Sequence, residues 1–405
     1  MKKKIKKSGF KADLCIVGGA GHVGLPLAIA FAKKGLNVLA YDINESAFKA
    51  IQEGKMPFME HGAEPLLKEV LRDKKLSFSS DPKSISHIPK VIVTIGTPVD
   101  EFMNPDTRVM KDCMDKLLPY LFPGQLLILR STVYPGTTQW LDKYLHSQGK
   151  KMDVAFCPER IVQGYAIEEL ERLPQIVAGT SEKAEASAAK LFEILAPEIV
   201  RLKPMEAEFA KLFNNAYRYI QFAISNQFFM IANSAGLDYD RILSGMKKNY
   251  ARASDIPGAG FAAGPCLYKD TMQLAAFSDN QFSLGHAATV INEGLVLYLV
   301  GQIRKKFELE KMTVGLLGMA FKANSDDVRA SLSYKLKRVL SFQAKKVLAT
   351  DPHVVTDKTL LPLEDVIRKS DLLILCVPHK AYRGLSLKGK NVVDIWGFFG
   401  QGVLI

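Results

Sequence analysis

The chain has 405 residues, of which 48% are hydrophobic, and carries a net charge of +12 from 54 basic and 42 acidic residues. The length predicts two or three domains of about 100 to 200 residues each, and the apolar fraction excludes a mostly disordered chain. The basic excess suits an anionic substrate or a nucleic acid, although a solvated surface is the commoner explanation. Because the lysine-rich start lacks interleaved aromatic residues, we expect no nucleic-acid partner.

Neither a membrane span nor a secretion signal is predicted. The sequence has no uninterrupted apolar run of about 18 residues, and its basic start passes directly into a polar segment. The five cysteines are an odd number without CxxC pairs or histidines at ligand spacing, which argues against a disulfide framework or a zinc site. We therefore expect a cytoplasmic protein with free thiols, no metal and no membrane partner.

The segment 12–44 predicts a strand, a glycine turn, a helix and a second strand that ends at an acid. Its glycines form G-x-G-x-x-G, in which the first permits the tight turn, the second lets backbone approach a pyrophosphate and the third allows close packing of helix and strand. Asp42, the acid at the end of the second strand, suits ribose hydroxyls and repels a 2′-phosphate, which favours NAD over NADP. A glycine turn in a phosphate-free protein is the alternative. The cofactor-binding residues predicted in this segment are Gly19, Gly21, His22, Val23, Gly24 and Asp42.

Three further strand-like runs, VIVTIGTPVD, QLLILRSTVYPG and MDVAFCPER, alternate with helical stretches, as in a doubly wound parallel sheet. Thr97, Thr132 and Glu159 follow the carboxyl ends of these runs, where ligands of such sheets bind. We expect the three side chains to face one crevice, although each one alone is also typical of a turn or helix cap.

A long helical pattern follows from about residue 205 to Gly236 and predicts a helix about 45 Å long. Its aromatic residues exceed what one core-facing stripe needs, which indicates a homodimer interface as well as a core. A second α/β unit follows, with strands at KKVLATD, DLLILCVP and NVVDIW. The predicted fold is α/β, with two Rossmann-like doubly wound domains, 1–203 and 309–405, joined by a long central helix and a helical region, 204–308.

The motifs GGAGHVGLPLA, GTPVD, RSTVYPGT, CPER, AKLFNNAYR, GPCLYKD and GMAFKANSDDVRAS occur in this order over almost the whole chain. The set resembles the nucleotide-sugar 6-dehydrogenases, the family of UDP-glucose and UDP-N-acetylhexosamine dehydrogenases. The resemblance implies a four-electron enzyme, in which two NAD+ oxidise the C6 alcohol of a UDP-sugar to a carboxylate.

Cys266 lies where this chemistry requires a nucleophile. To oxidise an alcohol past the aldehyde, an enzyme must hold the aldehyde as a hydride donor, and a thiolate does so as a thiohemiacetal that becomes a thioester. The cysteine matches the family's nucleophile in GPC, and a glycine-containing loop before a helix start favours a thiolate. A packed, inert side chain is the alternative for a lone cysteine.

The resemblance assigns further catalytic residues. Lys211 and Asn215 lie four residues apart on one helix face and match the lysine and asparagine that stabilise an oxyanion at C6. Asp270 matches an aspartate that positions water, and Thr132 and Glu159 match residues that share the water network. Which group accepts the proton stays open.

The second α/β unit resembles a UDP-sugar domain, because its turn reads GLLGMAFK instead of G-x-G-x-x-G. The resemblance implies that Phe321 borders the base, Lys322 approaches the substrate and Arg329 reaches the cofactor phosphates. Arg252 matches an arginine that neutralises substrate phosphate from a neighbouring subunit. The predicted substrate-binding residues are Glu159, Lys211, Asn215, Arg252, Gly260, Phe261, Phe321 and Lys322, and Thr97, Thr132 and Arg329 join the predicted cofactor site.

Three departures from the family pattern bear on the substrate. Gln163 stands where the UDP-glucose enzymes carry a second glutamate, and this favours UDP-N-acetylhexosamine of the ManNAc or GlcNAc type over UDP-glucose. Ala262 and Ala263 replace glycines before the cysteine, and Trp396 and Gly397 occupy the region of another basic substrate ligand.

The product implied is a UDP-uronic acid for surface polysaccharide synthesis. Two readings from other classes remain open. A two-electron dehydrogenase of the hydroxyacid kind would form one NADH per substrate, and a non-catalytic nucleotide-sugar-binding protein would form none.

Overall fold

The structure is a computed structural model that describes residues 11–100, 104–106 and 108–400. The lysine-rich start, on which the prediction of no secretion signal depends, lies outside the described residues, as does the end of the predicted third domain, 401–405. The chain folds into two compact units, Met1–Leu212 and Phe213–Ile405. The predicted boundaries at 203 and 309 stay a prediction.

The first unit is built on an 8-stranded sheet in the order β3-β2-β1-β4-β5-β6-β7-β8. Its strands are parallel except for β6 and β7, which pair antiparallel. The bounds are β1 Leu14–Val17, β2 Val38–Tyr41, β3 Leu76–Ser79, β4 Lys90–Val93, β5 Leu126–Leu129, β6 Asp153–Phe156, β7 Gln175–Gly179 and β8 Ile199–Arg201. The predicted doubly wound sheet is confirmed, but the sequence patterns did not indicate β3, β7 and β8.

Helices cover both faces of this sheet, so successive residues of a strand enter different cores. Leu14 and Ile16 of β1 pack in one apolar cluster with residues of α1, α3 and α7, while Cys15 and Val17 pack in another with residues of α4 and α5. Burial on both faces explains why the central strands are continuous apolar runs. The helix bounds are α1 Gly24–Lys33, α2 Glu45–Gln52, α3 Ala63–Arg72, α4 Arg108–Leu117, α5 Thr137–Ser147, α6 Ala166–Arg172 and α7 Glu182–Phe192.

The predicted long helix is α8, Pro204–Ser234, and the division between the two units falls inside it. The second unit also contains α9 Tyr239–Lys247, α10 Leu267–Phe277, α11 Ser283–Lys306, α12 Leu332–Ser341 and α13 Leu363–Lys369. Short 3-10 helices occur at Pro82–Ile85, Leu118–Tyr120, Ala251–Ala253, Leu309–Lys311 and Lys380–Tyr382.

A 4-stranded parallel sheet forms the core of the second unit, in the order β10-β9-β11-β12. The strands are β9 Thr313–Leu317, β10 Lys346–Thr350, β11 Leu372–Leu375 and β12 Asn391–Asp394, and the last three lie at the positions that the sequence predicts. Apolar residues of α8, α11 and α12 pack with Val314 and Leu316 of β9.

Helix α11 is long and apolar enough to cross a membrane by length and composition, and among the described residues it alone passes this test. Leu295, Leu299 and Ile303 of the same helix are buried in the protein core. Core helices of soluble proteins pass the same test, so this helix gives little reason to expect a membrane span.

Candidate active site

The glycine turn after β1 has the packing of a dinucleotide-binding turn. A Cβ at Gly24 would lie 2.2 Å from the carbonyl oxygen of Gly18, so only glycine lets α1 approach the strand this closely. A Cβ at Gly21 would meet nothing closer than that oxygen at 3.4 Å, which leaves backbone open to a ligand. A Cβ at Gly19 would lie 2.7 Å from the Ala40 Cβ, so the turn needs a glycine there, and the preceding Gly18 adopts a positive φ of +81°.

Asp42 follows β2 and lies beside this turn. Its two carboxylate oxygens accept hydrogen bonds from the backbone N–H groups of Ala20 and Asn44, each at 3.0 Å. Because each carboxylate oxygen has two lone pairs, one site on each oxygen remains for a vicinal diol. Val23 is the N-cap of α1, whose first N–H groups favour an anion.

His22 connects the glycine turn to another loop of the first unit. Its ring packs on Phe58 with 4.0 Å between ring centroids, and its Nδ1 lies 3.0 Å from Nε2 of Gln163. The residue that the sequence associates with sugar choice therefore contacts the predicted cofactor turn. No local sequence pattern indicates this contact, because 141 residues separate the two partners.

Thr97 and Thr132, two of the three polar residues expected to face one crevice, are connected by a hydrogen bond. The Thr97 hydroxyl donates a hydrogen bond to the carbonyl of Thr132, across the ends of β4 and β5. The backbone N–H of Glu159 donates to the carbonyl of Arg130, two residues before Thr132, at 3.1 Å. The three strand ends are thus adjacent.

The carboxylate of Glu159 belongs to a buried ion pair. Arg130, whose side chain is 1% exposed, donates from Nε to Oε2 at 2.8 Å, while Oε1 accepts from the backbone N–H groups of Arg160 and Ile161. Arg130 also donates to Oε1 of Gln175 at 2.8 Å. These contacts engage both oxygens of Glu159 and hold its carboxylate in one orientation.

Sequence reasoning missed Glu208 on α8, one helical turn before Lys211. Its buried carboxylate accepts from the backbone N–H of Gly136 at 2.6 Å and from the N–H and hydroxyl of Thr138 at 2.8 and 2.6 Å. Burial raises the pKa of Glu208, and these hydrogen bonds oppose the shift. Glu208 thereby holds the start of α8 against the segment that follows Thr132.

Cys266 differs from the other four cysteines in its surroundings. It is exposed and is the N-cap residue of α10, where the positive end of the helix dipole favours a thiolate. Burial raises the pKa of Cys113 to about 11 and of Cys157 and Cys376 to about 12, and that of Cys15 further still. Only Cys266 therefore meets the requirements of a reactive thiol.

Asp270 and Asn215, two of the predicted catalytic residues, contact each other in the second unit. The carboxylate of Asp270 is fully buried in the first turn of α10, and its Oδ2 accepts from Nδ2 of Asn215 at 2.5 Å. Its Oδ1 lies 3.0 Å from Nζ of Lys269. The backbone N–H of Asp270 donates to the carbonyl of Cys266 at 2.9 Å, so the first turn of α10 joins cysteine and carboxylate. The partner lysine was not predicted.

Arg329 lies in the loop after β9 and is held by Asp327. Its Nη2 donates to Asp327 Oδ2 at 2.6 Å, and Nε is 3.0 Å from both carboxylate oxygens. The hydrogen bonds that Arg329 donates to Asp327 raise the pKa of the guanidinium, and a thiolate at Cys266 acts in the same direction. The guanidinium, predicted to reach cofactor phosphates, is thus also a counter-charge near the thiol.

Phe321 packs against the loop that leads to the cysteine. A Cβ at Gly264, whose φ is +106°, would lie 2.6 Å from the Phe321 ring. Lys322 Nζ lies 5.8 Å from the centroid of the same ring. The part of Phe321 that contacts Gly264 supports this loop, and only the rest of the ring is left for the predicted contact with a base.

Gly260 and Phe261 lie in the same loop and are both tied to the core. The N–H of Gly260 donates to Oδ1 of Asn226 at 2.9 Å, and a Cβ on it would be 2.2 Å from the Trp396 ring. The side chain of Phe261 is buried, which leaves only its backbone to contact a substrate. The exposed Arg252 donates from Nε to the Tyr250 hydroxyl at 2.8 Å.

The six predicted catalytic residues are divided between the two units. Thr132, Glu159 and Lys211 belong to the first, and Asn215, Cys266 and Asp270 to the second. Lys211 and Asn215 lie on the same helix, four residues apart.

Three models of the UDP-glucose/GDP-mannose dehydrogenase family match consecutive parts of the chain. The NAD-binding domain matches residues 12–196, the central domain 205–294 and the UDP-binding domain 315–401. The chain belongs to this family. The predicted class of NAD-dependent UDP-sugar dehydrogenase is thereby confirmed, and so is the cofactor, NAD.

Relatives in the UDP-glucose/GDP-mannose dehydrogenase family match along nearly their full length. The UDP-N-acetyl-D-mannosamine dehydrogenase of Pyrococcus horikoshii is 28% identical, with 93% of each chain covered. That of Methanocaldococcus jannaschii is also 28% identical, covering 96% of this chain and 91% of the relative. The NDP-N-acetyl-D-galactosaminuronic acid dehydrogenase of Ralstonia nicotianae is 26% identical, with 95% of each covered.

Solved structures of family members have the same fold. The structure of UDP-D-ManNAc dehydrogenase from Pyrococcus horikoshii superposes with a TM-score of 0.89 at 26% identity, covering 96% of both chains. A UDP-glucose dehydrogenase from Pyrobaculum islandicum gives 0.87 at 26% identity, covering 96% of this chain and 95% of its own. The predicted fold class is confirmed.

The first unit fits the NAD of a UDP-glucose/GDP-mannose dehydrogenase. The space at Gly21 and the N-terminus of α1 suit a pyrophosphate, and the two remaining acceptor sites of Asp42 suit the ribose hydroxyls.

Proposed function

We propose that this chain oxidises C6 of a UDP-N-acetylhexosamine to the carboxylate in two steps, with Cys266 as the covalent nucleophile. The observation that carries the proposal is the setting of this thiol. It is the one exposed cysteine of the five, it caps a helix N-terminus, and the Asn215–Asp270 pair lies one helical turn further along. The positive charge of Arg329 supports the thiolate.

The first step converts the C6 alcohol to an aldehyde. Bound NAD+ supplies a hydride acceptor, and the hydroxyl proton leaves to a base of the site. The chain stabilises the developing alkoxide, for which the Lys211 ammonium and the Asn215 amide are the proposed donors. Pre-arranged donors of this kind lower the barrier because they need no reorganisation during the reaction.

In the second step the Cys266 thiolate adds to the aldehyde carbon, which forms a C–S bond and a thiohemiacetal oxyanion. Loss of hydride from that carbon to a second NAD+ leaves a thioester. Water then attacks the thioester carbon, the C–S bond breaks, and the products are the carboxylate and the free thiol. The proposed role of Asp270 is to orient this water, with Thr132 and Glu159 completing the network.

The substrate contacts that we propose for the second unit involve Phe321, Lys322 and the backbone of Gly260 and Phe261. Arg252 is the proposed ligand of substrate phosphate in a neighbouring subunit. Arg329 and Thr97 complete the proposed cofactor contacts. These assignments are supported by the motif matches and by the loops in which the residues lie.

The choice of an N-acetylhexosamine is supported by relatives named UDP-N-acetyl-D-mannosamine dehydrogenase. The glutamine at position 163 supports the same choice, with UDP-glucose as the alternative. The proposed product, a UDP-uronic acid, suits surface polysaccharide synthesis. A cytoplasmic location is supported by the five free thiols, which persist in reducing compartments.

A homodimer through α8 is supported by a stripe of apolar residues that the second unit leaves exposed. The stripe consists of Phe213, Tyr217, Ile224, Phe228 and Ile231, which lie on one helix face and are 41% to 60% exposed. Contiguous exposed apolar surface of this kind marks an interaction site in most proteins.

Replacement of Cys266 by alanine tests the proposal. With UDP-N-acetylhexosamine and NAD+, the unmodified enzyme should form two NADH per UDP-uronic acid, with the product identified by mass. Cys266→Ala should bind UDP-sugar and NAD+ normally but lose carboxylate formation by roughly three orders of magnitude or more. Cys113→Ala, which removes a half-buried thiol of α4, should keep full activity.

The possible results distinguish the covalent mechanism from the two alternative functions that the sequence leaves open. Carboxylate formation by Cys266→Ala at near the original rate would refute the covalent mechanism. One NADH per substrate, unaffected by this replacement, would instead support a two-electron dehydrogenase. Binding of UDP-sugars without NADH formation would support a non-catalytic protein.

A further inference from the structure

The loop between β9 and α12 carries Phe321, Lys322 and Arg329 and is fastened to the sheet by a carboxylate. Asp351 follows β10, and its Oδ2 accepts from the backbone N–H groups of Met319 at 2.6 Å and Ala320 at 3.0 Å. This first attachment lies immediately before Phe321.

The second attachment is a histidine. His379 is fully buried, and its Nδ1 accepts the backbone N–H of Asn324 at 3.0 Å. A backbone N–H can only donate, so Nδ1 carries no hydrogen and the ring hydrogen is on Nε2. That nitrogen lies 3.0 Å from Asp351 Oδ2 and donates to it. The histidine thus connects both attachments through one neutral ring.

Asn324 is held from two sides. It has a positive φ of 53°, its N–H donates to His379, and its side-chain oxygen accepts the backbone N–H of Lys380 at 2.9 Å. The ring of His379 is itself enclosed by the rings of Tyr382 and His353, at 5.6 and 5.0 Å between centroids. The ring therefore has little freedom to move.

Phe321 and Lys322 lie between the two attachments. Only three residues separate Ala320, fixed by Asp351, from Asn324, fixed by His379. Such a short segment with both ends fixed has few backbone conformations, and pre-organised contacts cost less entropy on binding.

We propose that His379 is a positioning residue for the UDP-sugar: it fixes the Asn324 turn and thereby the orientation of Phe321 and Lys322 toward the ligand. The inference rests on the proposed substrate role of these two residues. His379 touches neither the substrate nor the cofactor in this proposal, and it acts through the backbone of the loop.

Two replacements of His379 separate its two nitrogens. In His379→Gln the side-chain Nε2 occupies the place of the ring Nε2 and can still donate to Asp351, but the acceptor for Asn324 is lost. In His379→Asn the side-chain Oδ1 occupies the place of Nδ1 and can still accept from Asn324, but the donor to Asp351 is lost. His379→Gln therefore breaks only the contact with Asn324, and His379→Asn breaks only the contact with Asp351.

The measurement is the dissociation constant of UDP by calorimetry with the full chain, alongside KM, kcat and Tm. His379→Gln should weaken UDP binding about tenfold or more, because a buried N–H loses its acceptor and the loop is released. It should raise the UDP-sugar KM more than the NAD+ KM, because Arg329, the cofactor ligand of the same loop, is held separately by Asp327. His379→Asn should bind UDP within about twofold of the unmodified chain, while its Tm falls because Asp351 loses a partner.

A second pair of variants keeps the test decisive if His379→Gln does not fold. Asn324→Gly removes the acceptor for Lys380 and tolerates the positive φ, so it should also weaken UDP binding, whereas Asn324→Asp keeps the acceptor and should not. Failure of the unmodified chain to bind UDP would overturn the proposed function. Binding of UDP by the unmodified chain, His379→Gln and Asn324→Gly with equal affinity would overturn only this inference.

Discussion

At the scale of single residues, the candidate site combines side chains close together on one helix with side chains held by distant partners. Cys266 and Asp270 lie four residues apart at the start of α10, and the sequence shows this spacing directly. Arg130 and Glu208 were missed because the function of each depends on a partner distant in sequence, Glu159 for one and the Gly136–Thr138 segment for the other. Such pairing follows from the tertiary fold and leaves no local pattern.

Asp42 gives a prediction about cofactor choice. Its carboxylate has acceptor sites for the ribose hydroxyls and would repel a 2′-phosphate. Asp42→Ala should raise the NAD+ KM by roughly tenfold or more and leave the NADP+ KM unchanged or lower. Initial rates with each cofactor measure the ratio, and Asp13→Ala, another strand-flanking acid of the first unit, is the control. Equal use of both cofactors by the unmodified enzyme would contradict the assignment.

Asp351 gives a prediction about acid stability. Burial alone would raise its pKa, but the hydrogen bonds from His379 and backbone N–H groups outweigh burial and lower the pKa from its usual 3.8 to about 2. Between pH 2 and pH 3.8 the unfolded chain binds more protons at this carboxylate than the folded chain does. The contribution of Asp351 to the free energy of unfolding is therefore present above pH 3.8 and is lost as the pH falls. At pH 3 the free energy of unfolding should have lost about 1 kcal/mol of the total of about 2 kcal/mol that Asp351 contributes.

Urea unfolding at pH 5 and pH 3 measures this loss. Asp351→Asn should be less stable than the unmodified chain at pH 5, and the gap should narrow by about 1 kcal/mol at pH 3. Asp279→Asn, at an exposed position of the same unit whose positive φ suits asparagine, should show no change in the gap. If the free energies of unfolding of the unmodified chain and of Asp351→Asn differ by the same amount at both pH values, Asp351 has the same pKa in the folded and the unfolded chain.

At the scale of elements, the sequence predicts the central strands and misses the two edge strands and β7. The central strands β1, β4 and β5 are apolar runs that end at turn residues. By contrast, β3 and β8 are partly exposed strands at the two edges of the sheet. Partly exposed edge strands carry little apolar signal, so their pairing is visible only in the fold. The missed strand β7 is buried and pairs antiparallel with β6, an arrangement that departs from the parallel pattern.

The glycine turn gives a prediction that separates packing from ligand contact. Gly24→Ala would place a methyl group against the Gly18 carbonyl, so it should lower the free energy of unfolding by about 1 to 3 kcal/mol. Gly21→Ala meets no close atom and should leave stability unchanged, but its methyl group should obstruct the pyrophosphate and raise the NAD+ KM. Thermal unfolding and NAD+ titration of both variants provide the test. Equal stability of the two would be inconsistent with this division of roles.

At the scale of the whole molecule, the family pattern extends over both units, and the sequence predicts the order of its parts. Function-bearing motifs lie at strand ends and in the loops before helices, where their residue types are distinctive. The division of the chain inside α8 has no such mark, because a continuous helix has the same periodicity on both sides of a boundary.

The exposed stripe on α8 gives a prediction about assembly. Ile231→Glu would introduce a charge into the proposed interface and should convert a dimer into a monomer, as measured by analytical ultracentrifugation across micromolar concentrations. Val355→Glu alters a comparably exposed apolar residue outside α8 and should leave the dimer intact. A monomeric unmodified chain at all concentrations would rule out the dimer.

The two sheets share one arrangement, in which an acid after the second strand of a β-turn-α-β unit accepts from the turn. Asp42 holds Ala20, and Asp351 holds Met319 and Ala320. Each carboxylate also accepts from the turn that follows it, Asp42 from one backbone N–H and Asp351 from two. Asp351 accepts from His379 as well, which saturates its lone pairs, whereas Asp42 retains one acceptor site on each oxygen. Of the two carboxylates, only Asp42 therefore has acceptor sites left for the hydroxyls of a ribose.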